Sequence, residues 1–124
     1  MENLDEKFVI AIANEINGII ASAGAVSMSW GITDKAATIY NGMAAFAFRV
    51  DGFQHKGGVV VALNEGKDLY ECYFLGKDGE VVKAFEDVFI DELVGLLDRE
   101  IETGGDDEKT YSAKVNKWFG ETFN

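Results

Sequence analysis

Met43-Ala-Ala-Phe-Ala-Phe-Arg-Val50, Val59-Val-Val-Ala-Leu63, Leu69-Tyr-Glu-Cys-Tyr-Phe-Leu75 and Glu80-Val-Val-Lys-Ala-Phe85 are the four segments whose reading decides the fold. Side chains alternate faces along a strand, so Phe46, Phe48 and Val50 share one face, and Ala45, Ala47 and Arg49 the other. Val59–Leu63 is β-branched and apolar on both faces, as a central strand is. In the third segment Tyr70, Cys72 and Phe74 point one way. Leu69, Glu71, Tyr73 and Leu75 point the other, where the single acid predicts partial exposure. The connections are short and turn-forming. Residues 51–58 are polar and glycine-rich, residues 64–68 read Asn-Glu-Gly-Lys-Asp, and residues 76–79 end in Asp78-Gly79. Glycine accepts positive φ without steric cost, so Asp-Gly marks a hairpin. Parallel pairing needs crossovers of a dozen residues or more, and these linkers are too short. The segments therefore pair antiparallel in sequence order.

The flanks read as helices. Asn3 with Glu6 three residues on resembles a capping box. Phe8, Ile12, Ile16, Ile19, Ile20 and Ala23 then fall on one helical face, and Gly24 stands where a helix terminator belongs. Gly18 inside the helix costs about 1 kcal/mol against alanine, or else permits close packing on the sheet. Val26, Met28, Trp30 and Ile32 alternate with Ser27, Ser29 and Gly31, which predicts a strand. Residues 33–37 read as a turn, or a helical turn capped by Thr33 or Asp34, and residues 38–40 as extended. Asn41-Gly42 is either a two-residue hairpin turn or a bulge in one long strand. The sheet has five strands, or six if residues 38–40 count separately.

After Phe85, Glu86 and Asp87 suit a helix N-terminus through the macrodipole. Ile90, Leu93, Val94, Leu97 and Ile101 keep helical spacing, and Gly104-Gly105 ends the helix. Asp106-Asp107-Glu108 reads as a solvated linker. Tyr111, Val115, Trp118 and Phe119 mark a short terminal helix, with Lys114 and Lys117 facing water or the acidic helix. The predicted class is α+β: an N-terminal helix, an antiparallel meander of about five strands, an amphipathic helix and a short C-terminal helix, all packed on one sheet face. At 124 residues the chain is one domain, 1–124.

Composition narrows the function classes. The net charge is −11, which disfavours phosphate backbones and anionic membranes as partners. Residues 1–85 carry 11 acids and 7 bases, residues 86–108 carry 10 acids and only Arg99, and residues 109–124 carry 1 acid and 3 bases. The acidity is thus local to the second helix. A single cysteine, Cys72, fits a reducing compartment and cannot form a disulfide within the chain. Ile16–Thr33 is uncharged but holds Asn17, glycines and serines, so it is not read as a membrane span. The first residues do not read as a signal peptide. A cytoplasmic protein is expected.

No constellation of reactive residues emerges. His55, the lone histidine, lies in a turn, and catalysis would require a carboxylate or nucleophile beside it. Cys72 reads as a small buried hydrophobe. Ser27 and Ser29 lack the Gly-x-Ser-x-Gly elbow. One histidine and one cysteine do not build a metal site, and Asp106-Asp107-Glu108 lacks the alternating ligands of a calcium loop. Gly57-Gly58 belongs to no nucleotide-binding motif. Neither a cofactor nor a metal is expected.

Met28-Ser29-Trp30-Gly31, the stretch Met43–Gly58, and Leu69–Leu75 through Asp91-Glu92-Leu93 resemble small uncharacterised bacterial proteins associated with phages and other mobile elements. The resemblance spans roughly residues 28–101. It implies a bacterial, cytoplasmic setting and no assigned activity. From the residues themselves, the leading expectation is a non-enzymatic protein-binding or adaptor module. It would act through a sheet face or through the acids Asp91, Glu92, Asp98, Glu100, Glu102, Asp106, Asp107 and Glu108. Such a carboxylate array could imitate nucleic acid and inhibit a DNA- or RNA-binding protein, or simply be a solvated face. A small ligand-binding domain or enzyme, with His55 or Tyr70 in a helix–sheet pocket, is the competing class. Apolar residues on both sheet faces point to a homodimer.

Overall fold

The computed structural model describes residues 4–104. Helix α1 spans Glu6–Ala21, and its N-cap is Asp5, whose carboxylate accepts the Lys7 amide at 3.3 Å. Asn3 lies outside the described residues. Val9, Ile12, Ala13, Ile16 and Ile20 form the buried stripe, one helical face. Gly18 is exposed, with nothing within 4 Å of where its Cβ would lie, so it serves no close packing.

The expected strand at Val26–Ile32 is not formed. A four-residue helix, α2 (Ala25–Met28), stands there, bounded by Gly24 and Gly31 at φ 60° and 64°. Short hydroxyls bond back within this turn: Ser27 Oγ donates to the Gly24 carbonyl at 3.2 Å, and Ser29 Oγ to the Val26 carbonyl at 2.7 Å. The alternating pattern was coincidental, because Met28 is 81% exposed while Trp30 is fully buried.

The fifth strand comes instead from the presumed turn. β1 runs Thr33–Tyr40, then β2 Met43–Asp51, β3 Lys56–Asn64, β4 Leu69–Leu75 and β5 Val81–Val88. They pair antiparallel in the order β1-β2-β3-β4-β5. Tyr40 pairs with Met43, so Asn41-Gly42 is a two-residue hairpin turn. Both residues have positive φ, 50° and 77°, as that turn demands. Residues 38–40, read as extended, are the end of β1; its first part escaped sequence reading because it is bulged. Two residues, Asp34 and Lys35, stand opposite Phe48 alone, and Asp34 takes φ 53°. A second bulge corrects the other end. Glu86 and Asp87 do not open a helix; they oppose Glu71 within β5, with Asp87 at φ 56°.

Helix α3 begins at Ile90 and runs to Asp98, continuing as a π-helical turn over Arg99–Thr103. Glu92 reaches back to accept the Phe89 amide at 3.1 Å, and Gly104 at φ 64° closes the helix as expected. Leu93, Leu97 and Ile101 are buried, whereas Ile90 is more than half exposed. α1 lies across β1 and β2 while α3 reaches β4, and one core joins them to Phe46, Phe48, Val59, Val61, Cys72 and Phe74. The π turn is stitched to the β2–β3 hairpin: the Ile101 carbonyl accepts from the amides of Gln54 (2.9 Å) and His55 (3.2 Å). Trp30 completes the seam. Its carbonyl accepts from the Asp51 amide at 2.8 Å, and its indole donates to Asp98 at 2.9 Å. No helix among the described residues is long and apolar enough to cross a membrane. The expected linker at 106–108 and the terminal helix from Tyr111 to Phe119 lie outside the described residues.

Candidate functional site

The acidic array is dispersed by the fold. On α3 only Asp91 and Glu92 are exposed, and Glu92 caps its own helix. Asp98 is taken up by the Trp30 indole. Glu100 is largely enclosed between Lys83 (2.6 Å) and Arg99 (3.0 Å). Burial would push its carboxyl up, but the hydrogen bonds to both bases outweigh it and hold the group below its usual range. Glu102 is buried, at 4% exposure. Asp106, Asp107 and Glu108 lie outside the described residues. The described helix therefore presents no continuous carboxylate surface.

The residues proposed for a helix–sheet pocket are likewise occupied. His55 is half-buried rather than an exposed turn residue. A ring nitrogen lies 3.0 Å from the Gly58 carbonyl, and the ring edge meets Phe74 with centroids 5.4 Å apart. No carboxylate adjoins it among these contacts. Tyr70 is buried on the covered face; burial and the nearby Glu15 and Asp68 push its hydroxyl pKa up. Cys72 is fully buried, and burial raises its thiol to about 12, so it carries no thiolate near neutrality.

The other face of the sheet is where polar and apolar groups converge. All helices in the described chain join the core cluster or lie beside it, while Ala45, Val60 and Ala62 form a separate buried cluster with Tyr40, Met43, Ala47, Tyr73 and Leu75 around it. Three of these are alanines and two are flat tyrosine rings, and that shapes the surface. Tyr40 on β1 and Tyr73 on β4 are separated by two strands, yet their rings meet at a centroid distance of 4.8 Å. They reach each other only because the intervening Ala45 and Ala62 present one methyl group each. The two rings thus roof the alanines, which are fully buried without a second layer.

The roof is anchored at one end. The Tyr73 hydroxyl donates to Glu71, whose other oxygen accepts Asn64 Nδ2 at 2.9 Å. Glu71 is 6% exposed, against the partial exposure expected from its strand pattern. Burial, then the bond to Glu71, raises the Tyr73 hydroxyl to about 12, while a hydrogen bond from Asn41 opposes the rise. At this end of the sheet the β1–β2 and β3–β4 turns flank a cleft of about 640 Å³. Leu4, Met43 and Leu63 supply apolar walls, and Asn41, Asn64, Glu71 and Tyr73 the polar ones. Sequence reading missed this group because Asn41 lies 23 to 32 positions before Asn64, Glu71 and Tyr73 and the four belong to no motif. Only Asn41-Gly42 as a turn and Glu71 in an apolar strand hinted at it.

Comparison with protein-family models, with curated proteins and with solved structures found no match to this chain.

Proposed function

We propose that the protein is a non-enzymatic protein-binding module whose working surface is the helix-free face of its sheet, and that the occupant of that face is a second copy of the chain. The observation that carries the reading is the half-exposed rim of Tyr40, Met43, Tyr73 and Leu75 around a floor of Ala45, Val60 and Ala62. Tyrosine and methionine are enriched where proteins meet, because each offers large contact area at modest entropic cost.

Two arguments favour self-association. Five strands spaced about 4.8 Å apart and seven to nine residues long make a face of roughly 600 Å². Two such faces bury about 1,200 Å² together, the lower bound of a specific interface. Charge points the same way. A chain of net charge −11 repels its own copies. The Tyr40–Leu75 surface is sparsely charged: Glu71 is hydrogen-bonded within it, and Glu86 acts on Tyr73 from the neighbouring strand. The acidic helix has weaker support, with two exposed carboxylates on its described length. A bacterial, cytoplasmic setting without nucleic-acid or membrane contacts belongs to the same proposal. It rests on the resemblance over residues 28–101 and on the acidic balance.

Light scattering at micromolar concentration tests the dimer. Wild type should elute at twice the chain mass, and Ala47→Glu, at a half-exposed position of the face, as a monomer. A wild-type monomer overturns the proposal. If that monomer also loses thermal stability on Ala47→Glu, the face serves the fold and not a partner.

A further inference from the structure

We propose that the cleft between the β1–β2 and β3–β4 turns is a binding site for a small organic cation, a primary ammonium on a short aliphatic stem. The volume of about 640 Å³ falls among small-molecule sites. Such sites are mostly apolar, with a few convergent polar groups that fix orientation. Leu4, Met43 and Leu63 fit the first part, and Glu71, Asn41 and Asn64 the second.

The charge of the ligand follows from Glu71. Its carboxylate accepts one bond on each oxygen, from Tyr73 and Asn64. A carboxylate has about four lone-pair sites, so capacity remains on both oxygens. The ion pairs among the described residues join Lys56 to Asp51, Lys67 to Asp87, and Lys83 and Arg99 to Glu100; none reaches Glu71. Glu65 stands at the rim of the same cleft; Lys67 of the same turn also feels Glu71, but its ammonium is bound to Asp87. An ammonium carries three donors and no acceptor. Glu71 can take one donor, and the amide oxygens of Asn41 and of Asn64, which already accepts the Lys67 amide at 3.3 Å, the others, while the stem lies along Met43. The hydrogen bonds from Tyr73 and Asn64 fix the carboxylate before a ligand arrives, which lowers the ordering cost of binding.

The inference does not rest on self-association, though its cleft shares Met43 and Tyr73 with the face assigned to a second copy. It is tested by following backbone amide resonances of the full chain while titrating butylammonium, with 1-butanol and butyrate as neutral and anionic counterparts of similar size. Butylammonium alone should shift residues 41–43, 63–66 and 71–73. Glu71→Gln, which keeps shape and removes charge, should weaken binding about tenfold, as expected for loss of one charge-assisted bond. Asn41→Gly keeps the left-handed turn and should weaken it less, which preserves the test should Glu71→Gln fail to fold. Equal shifts from 1-butanol, shifts spread over Asp91 and Glu92, undiminished binding in Glu71→Gln, or no response to butylammonium would each overturn the site.

Discussion

The two faces of the sheet exclude water by different means. The covered face uses a second layer. Ile16, Ile20, Leu93, Leu97 and Ile101 are brought over Phe74, Val59 and Val61, and Trp30 is sealed at the seam. The open face uses its own side chains. Tyr40 and Tyr73 lean over two alanines, and no helix among the described residues contributes. A layer buries large residues completely, whereas a roof of leaning rings buries only small ones and leaves the rings half-exposed. The difference teaches what each face can offer: a face sealed by a layer has no surface left to present, and a face roofed by tyrosines presents partly exposed rings.

The comparison breaks first at Trp30. Trp30→Ala removes a fully buried indole, the bond to Asp98 and the packing of the seam. It should cost about 3–5 kcal/mol in urea unfolding followed by circular dichroism, the range for large aromatics deleted from cores. Tyr40→Ala, on the open face, should cost clearly less, since its ring is only partly buried. Equal losses would mean that the tyrosine roof is as structural as the layer.

Gly52 sharpens the same contrast at smaller scale. A Cβ there would overlap the Ile101 carbonyl and sit 2.7 Å from Ile101 Cγ2, with the backbone of both residues held by hydrogen bonds. Gly52→Ala should destabilise by about 1–3 kcal/mol, as overpacking does, read as a fall in the midpoint of thermal unfolding. An unchanged midpoint would show that the π turn can lift away from the β2–β3 hairpin.

These residues also mark how far the sequence could be read. The four strands from Met43 onward were legible because period two and glycine-rich turns agree there. Buried Tyr70, Cys72 and Phe74 followed from the same pattern. The two strand ends outside that core were misread for one physical reason. A bulge puts two residues opposite one, so Asp34-Lys35 and Glu86-Asp87 interrupt the alternation with polar residues and resemble turns or helix starts. Residues 26–32 failed in the reverse sense: alternation was present, but positive φ at Gly24 and Gly31 enclosed a helical turn. The cleft was invisible because Asn41, Asn64, Glu71 and Tyr73 meet only through strand register, and register depends on where the turns and bulges fall.

The finest test of the comparison is alkaline titration of the roof. Tyr73 is held protonated to about 12, above its ordinary value of 10, first by burial and then by its bond to Glu71. A raised folded-state value means that the native state keeps a proton the unfolded chain has released. Stability from this group is therefore complete below pH 10 and is lost as pH rises from 10 towards 12. Tyr73→Phe removes the group and should flatten part of that decline, measured as unfolding midpoints between pH 9 and 12, roughly the interval between the ordinary and raised values. Cys72 on the covered face adds its own decline, beginning lower, because its thiol rises from 9 to about 12. The Cys72→Ala variant should therefore relieve the loss from pH 9 upward and Tyr73→Phe only from pH 10 upward. If Tyr73→Phe leaves the decline unchanged, the hydroxyl ionises as freely as in water, and the roof is not anchored to Glu71 in solution.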